Sequence, residues 1–313
     1  MNDPVSMRRK VIEGDVAGPH LLILGGVHGD EFESMSAIRR LIRFLEPVDF
    51  RGRVSLIPVV NEPAFWRGQR TAEDGLDLAR TCPGRADGSI TERVAHAVSA
   101  EIRTADFLID LHSGGAIMRF LPTVGYTLHP DSRILDTQRR MATAFNLPIV
   151  WGTSSRLDGR TLSVARDARI PAIYAEWMGA GECDPAGVEG YVEGCLGVMR
   201  ELDMIGGESA PPRIEHVIED DRDGAGHIQV NYPAPFDGFF ESRVELEQPV
   251  RPGDTIGVVT DHLGDREEAV VSLQAGIVLC LRVFSRVREG ESLGAVLELP
   301  DSAGKWMSSA LKA

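Results

Sequence analysis

Short apolar runs that alternate with helix-spaced segments are the feature that most narrows what this chain can fold into. Residues 21–24 are an unbroken Leu-Leu-Ile-Leu run closed by Gly25-Gly26. Residues 33–45 then repeat apolar side chains at Met35, Ile38, Leu41, Ile42 and Leu45, the spacing of one helix face. Residues 54–60, closed by Asn61-Glu62-Pro63, read as a second strand. Residues 91–103 read as a helix with Thr91 as its N-cap, and residues 107–111 as a third strand. A helix over 133–145, a fourth strand over 172–175 and a closing helix over 187–202 complete the series. Strands and helices alternating at these lengths predict an α/β unit around a mainly parallel sheet. In such sheets polar sites form beyond the carboxyl ends of the strands.

The chain's character changes after Gly206-Gly207-Glu208-Ser209-Ala210-Pro211-Pro212, a linker by composition. Beyond it come short β-type runs with an internal repeat. Ala234-Pro235-Phe236-Asp237-Gly238-Phe239 matches Ser272-Leu273-Gln274-Ala275-Gly276-Ile277. The segment from Val250 to Gly257 matches that from Val287 to Gly294. Two similar units of this size predict a small pseudo-symmetric β barrel or sandwich, similar to the biotinyl/lipoyl-carrier type. Residues 213–300 hold no lysine, so a swinging-arm carrier is excluded and a structural or lid role is expected. The expected division is a catalytic unit over 1–206, a β domain over 213–300 and a tail over 301–313.

The charge balance, 33 Lys plus Arg against 47 Asp plus Glu, leaves a net charge of −14. Such a field repels nucleic acid and anionic membrane surfaces, yet a local group of arginines can still receive an anion. Cys82, Cys183, Cys195 and Cys280 are scattered and form no CxxC pair, which argues against a disulfide framework. The start MNDPVSMRRK lacks the apolar segment of a signal peptide, and no stretch approaches the ~18 apolar residues of a membrane span. A reduced, cytoplasmic protein is expected.

Four clusters carry residues that can do chemistry. Gly25-Gly26-Val27-His28-Gly29-Asp30-Glu31 follows a buried strand and opens a helix, and one turn of backbone can aim His28 and Glu31 at one point. An imidazole and a carboxylate make half of a zinc site; a glycine-rich turn with an incidental His and a solvated Glu is the plain alternative. Ile109-Asp110-Leu111-His112-Ser113 puts a His just past a buried strand, with Asp110 on the same face. Asp110 either orients the imidazole or is a structural strand-end Asp. Ala175-Glu176-Trp177 closes a third apolar run. Burial raises the pKa of a Glu, which suits a general base, although a Glu paired with an arginine would look the same. Residues 61–84 read as a long loop bearing Arg70 and Arg80, whose planar forks match carboxylates. These could equally be surface arginines paired with Glu73, Asp74 or Asp77.

GGVHGDE, NEPAF, DLARTCPG, DLHSGG and AEWMGAG, in this order and spacing, resemble the succinylglutamate desuccinylase/aspartoacylase family of zinc carboxypeptidase-like hydrolases. The resemblance covers roughly residues 20–200, and the β repeat is similar to that family's C-terminal domain. It implies a zinc-carboxypeptidase-like mixed, mainly parallel sheet flanked by helices, followed by a small all-β barrel-sandwich-like domain. It implies one zinc ion held by His28, Glu31 and His112, with zinc-bound water as nucleophile and Glu176 as general base and acid. By the same resemblance Arg80 holds the substrate carboxylate, and Arg70 stands near the scissile carbonyl. The substrate would be a small N-acyl amino acid or related N-acyl amine, with a lean toward deacetylases of diaminobutyrate-type intermediates. The β domain would narrow access to the site. One departure bears on specificity: the family carries Asn before the arginine, and here it is Ala79, which donates no side-chain hydrogen bond. Arg160 and Arg166 are candidates to compensate. A carboxypeptidase-like peptidase, or a catalytically impaired binding protein marked by Ala79, are the alternative readings. Oligomeric state stays open, a homo-oligomer included.

Overall fold

The computed structural model describes residue 5, residues 7–46 and residues 48–299; the expected tail over 301–313 lies outside them. The chain forms two compact units. One takes the residues up to Ala116 and Pro122–Ala225; the other takes Ile117–Leu121 and the residues from Gly226 on.

The first unit carries β1 (Lys10–Glu13), β2 (Val16–Leu24), β3 (Arg51–Ile57), β4 (Phe107–Leu111), β5 (Met118–Thr127) from Pro122 on, β6 (Ile149–Thr153), β7 (Ala172–Gly179) and β8 (His216–Glu219). Its helices are α1 (Phe32–Leu45), α2 (Glu62–Arg67), α3 (Ile90–Ile102), α4 (Ser132–Phe145), α5 (Thr161–Asp167) and α6 (Pro185–Glu201). The strand order is β1-β3-β2-β4-β7-β5-β6-β8. The pairs β2–β3, β2–β4, β4–β7, β5–β6 and β6–β8 are parallel, and the edge strand β1 runs antiparallel to β3.

The unbroken apolar run in β2 follows from helices covering both faces of the sheet. Leu21 and Ile23 join one core with Ile38, Leu41, Phe145 and Tyr191 from α1, α4 and α6. Leu22 and Leu24 join the opposite core with Val94, Val98 and Leu162 from α3 and α5. Side chains alternate across a strand, so a strand coated on both faces must be apolar at every position. All four residues are fully buried, and each such side chain contributes roughly 1.5–3 kcal/mol relative to exposure.

The structure corrects several local expectations. Helix α3 begins at Ile90, and Ser89 is its N-cap, reciprocally bonded with Glu92 in a capping box. Thr91 lies inside the helix, where its hydroxyl donates to Asp74. The segment over 61–84 is not all loop. Asn61 caps α2, and Asp77 caps a single 3-10 turn at Leu78–Arg80. Strand β7 continues to Gly179, which puts Glu176 within the strand rather than beyond it. Strands β1, β5, β6 and β8 and helix α5 had no clear sequence signature. β5 contains Pro122 and Gly125, and β6 has only five residues. The linker at 206–212 does not end the first unit, because β8 returns to pair with β6. Only Ile218 of β8 is buried, the mark of an edge strand too sparse in apolar residues to announce itself. No helix among the described residues is long and apolar enough to cross a membrane.

The second unit is antiparallel: β9 (Gly238–Ser242), β10 (Pro249–Val250), β11 (Thr255–Thr260), β12 (Glu267–Val271), β13 (Gly276–Arg282), β14 (Arg286–Val287) and β15 (Gly294–Leu297). The repeat seen in the sequence is a structural repeat. β9 pairs with β11 as β13 pairs with β15, and the two halves exchange short strands, β14 onto β9 and β10 onto β13. The matched glycines serve the same close approach. A Cβ on Gly238 would lie 2.1 Å from the Thr260 carbonyl oxygen, and one on Gly276 would lie 2.1 Å from that of Leu297. Gly238→Ala and Gly276→Ala should each destabilise this unit by roughly 1–3 kcal/mol. Urea unfolding should record losses of similar size for the two, as the symmetry requires.

Candidate active site

Strands β2, β4 and β7 are adjacent and parallel, with Leu24 opposite Asp110 and Leu111 opposite Ala175. Their carboxyl ends therefore open side by side. His28 and Glu31 follow β2, His112 follows β4, and Glu176 sits one residue beyond Ala175 on β7. The backbone continues the pairing past β4, since His112 N–H donates to the Ala175 carbonyl at 2.8 Å. The turn that carries His28 needs a glycine: a Cβ on Gly29 would lie 2.1 Å from the backbone of Ala64 in α2.

His28, Glu31 and His112 are buried, at 3%, 1% and 8% exposure, and their ligand atoms all lie within 4.8 Å of one another. The Nδ1 atoms of both imidazoles converge on one carboxylate: His28 on Glu31 Oε1 at 2.7 Å, His112 on Oε2 at 2.9 Å. The opposite ring nitrogens are each held by a further carboxylate, His28 Nε2 by Asp77 at 3.0 Å and His112 Nε2 by Asp110 at 3.1 Å. This donor set fits a metal ion. Two imidazole nitrogens and one carboxylate leave a fourth position open, the composition of catalytic zinc sites, and the outer carboxylates fix each ring's orientation. Asp110 in turn accepts from the Thr161 hydroxyl, and the Tyr191 hydroxyl donates to the His112 carbonyl. Asp30, beside Glu31, accepts the Ala116 N–H at 2.9 Å and so ties the two ligand-bearing loops together.

Each of the three candidate donors is shifted from its ordinary pKa by its neighbours. For His112, burial opposes the imidazolium, but Asp110 and Glu31 outweigh it and hold the pKa well above its ordinary value. For His28, burial and Arg70 oppose the charge, and Glu31 and Asp77 prevail, again raising it. Glu31 is held far below the ordinary carboxylate range because the two histidines overcome its burial. A metal must displace those protons. Its apparent affinity should therefore fall as pH is lowered through the raised histidine values, which metal competition titrations at descending pH will measure.

Glu176 is half-buried. Burial pushes its pKa above the usual carboxylate range, with Glu31 adding to the rise and His112 and His28 opposing it. Arg70 reaches Asp77 with Nε and Nη2 at 3.2 and 3.0 Å, and its Nη1 lies 3.7 Å from Glu31. It is thus an ion-pair partner and a neighbour of the donor cluster at once. Arg80 follows Asp77 on the 3-10 turn, and its backbone packs on Gly159. That contact brings Arg160, the N-cap of α5, beside it. Burial and then the charge of Arg160 lower the Arg80 pKa to about 10, and Arg70 likewise bears on Arg160. Arg70, Arg80 and Arg160 thus form a local cationic patch around Asp77. Arg166 does not join it: it binds the Ser155 carbonyl, Asp158 and Asp167.

Asp77, which holds His28 Nε2, is the position at this cluster that sequence reasoning treated only as a partner for surface arginines. Its signal was its place in DLAR, three residues before Arg80. Asp77→Ala should weaken metal binding by roughly 10–100-fold, measurable by chelator competition.

Comparison with known proteins places the chain in a family. Residues 17–202 match the Succinylglutamate desuccinylase/Aspartoacylase catalytic domain. The chain is 30% identical over 298 residues to the N-alpha-acetyl-L-2,4-diaminobutyric acid deacetylase of Halomonas elongata, covering 92% of this chain and 84% of that protein. A succinylglutamate desuccinylase/aspartoacylase from Rhodobacter sphaeroides superposes with a TM-score of 0.83 at 27% identity, covering 95% of this chain and 90% of its own. The product-bound ectoine utilization protein EutE from Ruegeria pomeroyi superposes with a TM-score of 0.82 at 26% identity, covering 92% and 87%. The chain belongs to the succinylglutamate desuccinylase/aspartoacylase family.

Proposed function

We propose that this protein is a zinc-dependent deacylase that hydrolyses the amide bond of small N-acyl amino acids or related N-acyl amines. The observation that carries the reading is the convergence of His28, Glu31 and His112 on one point, with Glu176 on the adjacent strand β7 and a cationic patch alongside. The name of the Halomonas elongata relative makes an Nα-acetyl diaminobutyrate the first substrate to try.

Zinc bound by His28, Glu31 and His112 would supply Lewis acidity toward a water molecule and the amide carbonyl. Glu176 takes a proton from the attacking water on a carboxylate oxygen and hands it to the leaving nitrogen, a role its raised pKa suits. Arg70 presents charged N–H donors beside the reacting carbonyl, where a preorganised donor is typically worth ~3–4 kcal/mol. Arg80 and Arg160 hold the substrate carboxylate. This local reversal of sign explains how a chain of net charge −14 can receive an anion. Asp77 and Asp110 keep the two histidines oriented.

Zinc-loaded protein screened against N-acetyl and N-succinyl amino acids should release amine; binding of these compounds with no hydrolysis would sink the enzyme reading. Glu176→Gln should keep its metal and lose roughly 10²–10⁴-fold in kcat. His112→Ala should lose the metal, read as zinc content after dialysis.

A further inference from the structure

Tyr174 lies two residues before Glu176 on β7, so strand alternation puts both on one face of the sheet. Its partner in register is Asp110 on β4. The Asp110 carboxylate accepts from Thr161, the residue after Arg160, so the same contact brings the N-terminal end of α5 next to Tyr174. The ring packs against the core that holds Leu78, Ala79, Leu162 and Ala172. It lies across Gly125 of β5: a Cβ there would come within 2.4 Å of the ring and 2.5 Å of the hydroxyl. The residue is half-buried, and the charges nearest its hydroxyl are those of Glu176 and Arg160.

We infer that Tyr174 is a specificity-determining residue whose hydroxyl donates a hydrogen bond to the substrate carboxylate received by Arg160. The inference rests on the deacylase reading above. An arginine supplies charge, whereas a phenol held over Gly125 supplies a donor of fixed direction. The phenol stays protonated, because burial and the nearby Glu176 carboxylate raise its pKa. A substrate lacking the carboxylate leaves this donor and the guanidinium unmatched, and such mismatches in a polar pocket discriminate strongly. If Tyr174 only fills the space over Gly125, phenylalanine should serve as well.

Tyr174→Phe removes one oxygen and keeps the ring, which makes it the deciding variant. With an N-acetyl amino acid that the wild type hydrolyses, KM should rise about tenfold, the change falling on KM rather than kcat. With the matching N-acetyl amine that lacks the carboxylate, the two proteins should agree. An unchanged KM for the acid overturns the inference, and so does an equal change for acid and amine. If the wild type turns over neither compound, the deacylase reading fails, and calorimetric titration with the N-acetyl amino acid still decides the residue's role. An affinity about tenfold weaker in Tyr174→Phe supports it; equal affinities, or no binding by the wild type, overturn it.

Discussion

The arrangement at the centre of this protein depends on one buried carboxylate. Glu31, at 1% exposure, has both oxygens against imidazole nitrogens. Taking a lone carboxylate out of water costs several kcal/mol, and that cost is offset only by close, well-oriented positive partners. His28 and His112 must therefore be present and correctly turned, and each is turned by a second carboxylate at its far nitrogen. Asp77 and Asp110 then need partners of their own, met by Arg70 and Thr161. One desolvated charge thus recruits a chain of polar contacts that reaches from β2 to α5.

The sheet meets that demand by adjacency. Because β2, β4 and β7 run parallel side by side, residues separated by more than 80 positions in the chain, such as Glu31 and His112, are within hydrogen-bond reach. The two apolar cores on either face lock the strands in register, since a slip of one residue would turn β2's side chains into the wrong core. Rigidity at the strand ends comes from packing beneath, and polar side chains at those ends can be held in one geometry without solvent.

Legibility in the sequence followed the strength of local pattern. The run at 21–24, the helix face from Met35 to Leu45 and the strand at 107–111 were readable because double-sided burial demands uninterrupted apolar residues. β5, β6 and β8 were not, since Pro122, Gly125 and a nearly unburied edge weaken any local pattern. The candidate metal donors were readable as polar residues out of place at the ends of apolar runs. Asp77 was not, because an Asp four residues past Glu73 in an arginine-bearing segment looks like any surface ion pair. Arg160 and Arg166 could not be ranked from sequence; only the contact of Gly159 with the Arg80 backbone separates them. The linker composition at 206–212 marked an exposed connection, but an edge strand beyond it still belonged to the first unit.

The sequence by itself determined which residue types stand at strand ends, that the first unit is α/β, and that two β units repeat beyond the linker at 206–212. These are local properties, carried by periodicity and by motifs a few residues long. The tertiary structure alone decided which strand ends are neighbours, which ring nitrogens face one another, and that Arg70 pairs with Asp77 while Arg80 and Arg160 lie within its field. Those relations depend on strand order and on which side chains lose their water together, and neither is written in any short stretch of chain.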